Sequence, residues 1–173
     1  MKALFVFFFL LAAPAFAQDT APTSPGLAAC GPDSVKFAVK EDKAQQSVTQ
    51  LEPGKALVYV IEDYAAVCLG GCATIRVGLD GTWIGANQRD TYFFFTVTPG
   101  EHHLCSNWQS NLETYSSLYS LANFTAEAGK TYYFRTRVWF SYQVPRLDLE
   151  ALNSDEGNYL VASSRLAVSH AKK

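Results

Sequence analysis

The sequence predicts an all-β chain folded as a single antiparallel β-sandwich of the immunoglobulin/prealbumin-like kind, with a short helix towards the C-terminus. Three observations predict it. Short runs rich in Val, Ile, Thr, Tyr and Phe recur from Val35 onwards. Turn signals separate them about every eight to twelve residues. No long 3.6-residue period interrupts them before the C-terminal part of the chain.

The first seventeen residues stand apart. Lys2 precedes an unbroken apolar run from Ala3 to Leu11, and Ala15-Phe16-Ala17 supplies a small-x-small cleavage site, which reads as a secretory signal peptide over 1–17. The run is shorter than the roughly 20 apolar residues of a membrane span and breaks at Pro14. The mature chain is therefore expected to begin at Gln18 and to be periplasmic or extracellular. Leu27-Ala28-Ala29-Cys30 has the form of a lipoprotein cleavage box, but the polar stretch Gln18 to Gly26 separates it from the apolar run, which argues against a lipid anchor at Cys30.

Residues 18–33, with Pro22, Pro25 and Pro32, read as an extended leader, and the β-sandwich domain is expected over 34–164. Val35 to Val39 is its first strand. Lys55 to Glu62 is the second, and its continuous apolar composition places it centrally, buried on both faces. Thr74 to Leu79 alternates and meets Asp80-Gly81, a dipeptide suited to a tight hairpin, so that Trp83-Ile84 returns. Thr91 to Thr98 turns at Pro99-Gly100 into Glu101 to Trp108. Leu118 to Ala126 and Thr131 to Phe140 flank Glu127-Ala128-Gly129-Lys130 and read as a second hairpin, and Arg146 to Leu149 as an edge strand. The spacing Leu152, Glu156, Tyr159, Leu160, Ser163 is helical, with Asn153 or Ser154 as N-cap, although Gly157 weakens it. Residues 165–173 read as a C-terminal tail, frayed from His170 to Lys173.

Composition excludes several function classes. The formal charge is −2, about −3 once Lys2 is removed, and the pI is near 5.9, so the basic footprint of a nucleic-acid binder is missing. No apolar run of the mature chain reaches spanning length. Cys30, Cys68, Cys72 and Cys105 form an even set in an exported chain, which points to two disulfides with three possible pairings. Cys68 and Cys72 can close a small loop on themselves, or Cys30 and Cys105 can each take one of them; the second arrangement is the favoured expectation. The competing chemistry is a thiol or metal site using Cys68, Cys72, Cys105 and His103. Its spacing is C-x3-C rather than C-x-x-C, and no second paired motif completes a zinc site.

Two constellations stand out as candidate sites. Glu101, His103 and Cys105 share one face of a strand with His102 on the other, which suits a histidine that braces the preceding turn better than a chelate. Tyr133, Arg135, Arg137 and Trp139 share one face of their strand, and planar rings beside guanidinium forks suit recognition of a glycan or an acidic group. The competing expectation packs that face on another strand or on the C-terminal helix, with the arginines paired to Asp148, Glu150 or Asp155. Ser, His and Asp all occur, but no G-x-S-x-G elbow accompanies them. Asn123-Phe124-Thr125 has the form of a glycosylation sequon. No cofactor signature appears, and the chain is expected not to be an enzyme.

The ordered series Gly54-Lys55-Ala56-Leu57-Val58-Tyr59-Val60, Val77-Gly78-Leu79-Asp80-Gly81, Trp83-Ile84-Gly85, Tyr92-Phe93, Thr98-Pro99-Gly100-Glu101-His102-His103 and Ala126-Glu127-Ala128-Gly129-Lys130-Thr131-Tyr132-Tyr133-Phe134 resembles the bacterial exported domain-of-unknown-function family two-eight-four-six over about Gly54 to Ser164. The middle section is also similar to the PEGA module of bacterial surface proteins. Cys68 and Cys72 depart from the family pattern. The resemblance implies an envelope-associated β-sandwich and supplies no catalytic residues. Together with the lack of clustered catalytic groups, it leads to the expectation of a non-catalytic envelope binding or interaction module whose partner is an envelope protein or a glycan.

Overall fold

The segment Ala56–Glu62 (β2) carries apolar side chains on both faces, and every residue in it except Tyr59 is buried. Such a strand needs a hydrogen-bonded neighbour on each edge and a packed layer on each face. A computed structural model, which describes residues 27–42, 51–63, 72–142 and 144–172, supplies all four. The other strands are Phe37–Asp42 (β1), Thr74–Leu79 (β3), Thr82–Asn87 (β4), Thr91–Val97 (β5), Gly100–Gln109 (β6), Tyr119–Ala126 (β7), Thr131–Ser141 (β8), Val144–Leu152 (β9) and Arg165–Ala171 (β10). Two helices, Glu113–Ser116 (α1) and Ser154–Ser163 (α2), join them.

The strands form two sheets, one of six in the order β1-β10-β5-β2-β8-β9 and one of four in the order β4-β3-β6-β7. Their inner faces enclose Val58, Val60, Val77, Phe93, Leu104 and Phe134, the core of an all-β sandwich. Outside the six-stranded sheet, α2 covers a second apolar layer of Tyr59, Ile61, Tyr92, Tyr133, Leu160 and Leu166. Asn153 caps α2, its Oδ1 accepting the Glu156 amide at 2.9 Å. Outside the four-stranded sheet, residues 29–37 lie as a strap over Trp83, Ala86 and Cys105.

Several details differ from the sequence reading. The Glu127–Lys130 turn does not close a hairpin, because β7 pairs with β6 in one sheet while β8 pairs with β2 and β9 in the other. The turn docks instead on β2, with the Gly129 amide donating to Lys55 O at 2.9 Å. Central β2 recruits β8 to its open edge, and that pairing runs parallel, as does the short β10·β5 join. Only the four-stranded sheet is antiparallel throughout. Residues 165–171, read as tail, form β10 between β1 and β5. That strand covers an edge of β5 that would otherwise be open, a demand no local sequence pattern announces.

The strap shows that residues 29–33, read as leader, pack against the sandwich: Ala29 is buried and the Trp83 indole donates to Pro32 O at 2.9 Å. The expected signal peptide and residues 18–26 lie outside the described residues. The favoured disulfide pairing is overturned, since Cys30 bonds to Cys105, with Cα atoms 5.2 Å apart. Strap and strand β6 face each other there, which no spacing along the chain reveals. Cys72 is also disulfide-bonded, and Cys68 lies outside the described residues. Among the described residues, no helix is long and apolar enough to cross a membrane.

Candidate functional site

Alternation along β8 divides its side chains as the sequence requires, with Phe134 and Val138 in the core and Tyr133, Arg135, Arg137 and Trp139 on the outer face. The structure does not bring these four together as one open surface. Tyr133 is buried under α2, stacked on Tyr59 with ring centroids 5.4 Å apart, its hydroxyl donating to Asn158 Oδ1 at 2.7 Å. Arg135 sits among three carboxylates: Glu150 directly opposite on β9, Glu156 of α2 at 2.8 Å, and Asp63 at 3.6 Å. Burial pulls against its charge, but the Glu150 hydrogen bond and the surrounding carboxylates outweigh that and raise its pKa. Arg137 pairs with Asp63. The arginines therefore tie β2, β8, β9 and α2 to one another. Glu150 is a partner the sequence reading named; Asp63 and Glu156 replace Asp148 and Asp155.

Past the end of α2 this face opens. The Trp139 indole donates to Asp148, and the Arg146 guanidinium lies 5.3 Å from its ring centroid. Trp139 is 38% exposed, Phe140 47%, Tyr142 99% and Val144 57%, all at the turn between β8 and β9. Phe140, on the face of β8 opposite Trp139, meets Trp108 edge-on at 6.5 Å, and Trp108 stacks on Tyr115 at 4.3 Å, so the tip carries aromatic surface on both its faces. A run of large apolar side chains held out by a two-stranded tip costs free energy in water unless something covers it.

The histidines are placed otherwise. His102 Nδ1 lies 2.7 Å from Asp80 Oδ2 and Nε2 lies 2.8 Å from Thr98 O. Both partners accept, an arrangement that favours the protonated ring, in which both nitrogens donate. Asp80 Oδ1 also accepts the His103 amide at 2.8 Å. This brace ties the β3–β4 hairpin, where Asp80 and Gly81 take φ of 49° and 88°, to the β5–β6 crossover. His103 is exposed, near Glu101 at 3.8 Å. With Cys105 and Cys72 both in disulfides, neither offers a thiolate to the metal or redox site that the sequence admits, and the described residues contain no group of three or more His, Cys, Asp or Glu placed to hold a metal.

Burial lowers the affinity of His102 for its proton, but the hydrogen bonds to Asp80 and Thr98 O and the Asp80 charge outweigh it and raise the pKa above its ordinary value. A raised histidine stabilises the fold fully below the unfolded value, and that stability is lost as pH rises through the folded one. His102→Gln is therefore expected to cost about 1 kcal/mol in mildly acid solution and progressively less above neutral, since Asp80 is half exposed and screened. Urea melts across that range check it, and a cost that grows with pH would refute the brace.

Sequence reasoning missed two buried ionisable side chains. Arg76, which alternates with Ile75 and Val77 along β3, lies under the strap: Nε donates to Asn107 Oδ1 at 3.0 Å, one terminal nitrogen to Val35 O at 2.7 Å, and the guanidinium sits 4.3 Å from the Trp83 ring centroid. Beside it a polar cavity of about 250 Å³ opens between Asp33, Lys36, Gln109 and Tyr119. Glu62 is wholly buried at the end of β2. Its signal was a carboxylate closing an otherwise apolar central strand.

The family described as "Protein of unknown function (DUF2846)" matches residues 52–146, more than half of the chain. The chain belongs to this family. The match runs from the approach to β2 into β9, so the Asp80–His102 brace, Arg135 and the aromatic tip from Trp139 to Val144 all fall inside it. The strap, α2 and β10 fall outside. The chain is also similar to an uncharacterized protein of Haemophilus influenzae (strain ATCC 51907 / DSM 11121 / KW20 / Rd), 26% identical over 134 residues, covering 77% of this chain and 73% of that protein.

Proposed function

We propose that the protein is an exported, non-catalytic interaction module that docks onto an envelope protein through the aromatic end of the β8–β9 hairpin. The observation that carries this is the joint exposure of Trp139, Phe140, Tyr142 and Val144 beside Arg146. Trp, Tyr and Arg are the residue types that dominate binding energy at protein interfaces. A disulfide joining strap to sandwich accords with export, because such bonds persist in oxidising compartments.

The test is a photo-crosslinking amino acid at Tyr142, compared with one at Tyr159, which is 71% exposed on α2. A discrete protein adduct from position 142 that Trp139→Ala removes, with none from position 159, is the expected result. No adduct at position 142 in folded protein sinks the reading, and Trp139-dependent co-sedimentation with envelope glycan in its place makes the partner a glycan. Arg135 is unsuitable for this test, because its removal leaves three carboxylates facing one another.

A further inference from the structure

Glu62 ends β2 on the inner face, two residues beyond Val60. Its register neighbours are Thr91 in β5 and Thr136 in β8. From the opposite sheet Asn87 reaches across, Nδ2 donating to Val60 O at 3.0 Å. All four side chains belong to residues with no exposed surface. The threonine hydroxyls are engaged, Thr91 donating to Gln88 O at 2.7 Å and Thr136 to Ile61 O at 3.4 Å. Three buried oxygens have no hydrogen-bond donor: Glu62 Oε1, Glu62 Oε2 and Asn87 Oδ1. If Glu62 is a carboxylate all three are acceptors, an arrangement that forfeits solvation without replacing it.

The charges around this layer do not relieve it. On the β4–β5 connection the Arg89 backbone amide favours ionisation without reaching hydrogen-bonding geometry to either Glu62 oxygen, Asp90 opposes ionisation, and the Arg89 guanidinium turns to Asp90 at 3.8 Å. Asp63, next along the chain, is taken by Arg135 and Arg137 on the outer face. Thr91, Thr136 and Asn87 carry no charge. Glu41 and Arg165, paired with each other, share a polar cleft with Arg89 and Asp90. Burial dominates and raises the Glu62 carboxyl to about 8. Arg89 and Asp90 both take positive φ, 35° and 44°, so this connection is already strained.

We propose that Glu62 is a buried proton site, held as a neutral carboxylic acid whose hydrogen supplies the donor this layer lacks, and that losing the proton loosens the sandwich end at the Gln88–Thr91 turn. The folded state then keeps a proton that the unfolded chain releases at an ordinary carboxylate pKa. Its contribution to stability is complete below that ordinary value and falls about tenfold in the folding constant per pH unit up to about pH 8, levelling off above.

Urea unfolding from about pH 5 to about pH 9, comparing the wild type with Glu62→Gln, is the test, since His102 contributes equally to both. The expected result is a wild-type folding constant that falls relative to Glu62→Gln by a hundredfold or more on the order of three pH units. Amide exchange at residues 88–92, corrected for its intrinsic pH dependence, accelerates above about pH 8 in the wild type alone. Parallel profiles overturn the proposal. So does stabilisation of the wild type, but not of Glu62→Gln, by added sodium, potassium, magnesium or calcium at high pH, which would make the layer a cation site. If Glu62→Gln does not fold, the infrared carbonyl band of a protonated carboxyl in the wild type near neutral pH decides the matter, and its absence refutes the proposal.

Discussion

Replacing Cys30 and Cys105 together with alanine is expected to lower stability by about 4 kcal/mol. The bond joins residues 75 apart, and closing a loop of that length restricts the unfolded chain by roughly that amount in the chain-entropy account. The native side adds to the loss, because the strap that Cys30 pins also brings Asp33 and Val35 to the buried Arg76 guanidinium. Once the strap is free to leave, its carbonyl contacts to Arg76 are lost and the apolar surface of Trp83 and Ala86 that it covers is exposed to water. Urea unfolding of the double variant measures the total, and amide exchange shows whether Trp83 and its neighbours lose protection first. A loss under about 1 kcal/mol would mean that the bond restricts the unfolded chain far less than its loop length implies.

Gly157→Ala should destabilise the protein by about 2 kcal/mol, opposite in sign to the usual effect of removing a glycine from a helix interior, which gains about 1 kcal/mol. A Cβ at this position would lie 2.2 Å from Tyr133 Cγ and 2.6 Å from its Cβ. The ring cannot retreat, because its other face stacks on Tyr59 and its hydroxyl is bound by Asn158. The helix must instead lift, separating Glu156 from Arg135 and uncovering Ile61 and Tyr92. Thermal melting decides the sign, and an alanine variant as stable as the wild type would show that α2 can ride higher on the sheet. Gly157, which weakens the helix as a sequence pattern, is the residue that lets the helix pack closely.

Legibility followed the range of the interactions. The Asp80-Gly81 hairpin and the Asn153 cap rest on contacts within a few residues, the two-sided burial of β2 is announced by its unbroken apolar run, and alternation alone separates the two faces of β8. The Glu127–Lys130 turn misled because its local chemistry suits a hairpin equally well, and the pairing was decided by which sheet edges remained open. Tyr133, Arg135, Arg137 and Trp139 were placed correctly on one outer face, but periodicity could not say that α2 covers the first of them, that Asp63 and two glutamates take the arginines, or that only Trp139 stays open. Arg76 was out of reach because a charge on an alternating strand reads as solvent-facing until its cover is known, and Glu62 because nothing local to β2 says that its end finds no hydrogen-bond donor.

By itself, the order of amino acids determined an all-β sandwich with a central apolar strand and the face each β8 side chain would take, because these follow from backbone geometry and the alternation of polar and apolar residues; membership of the family rests instead on the likeness of its strand-and-turn series. Tertiary structure alone decided the pairing of Cys30 with Cys105, the partition of strands between the sheets, the burial of Glu62 without a donor and the exposure of the aromatic tip. Each of these depends on which segments distant in sequence come to lie within a few ångströms, and that is set by the packing of the whole chain.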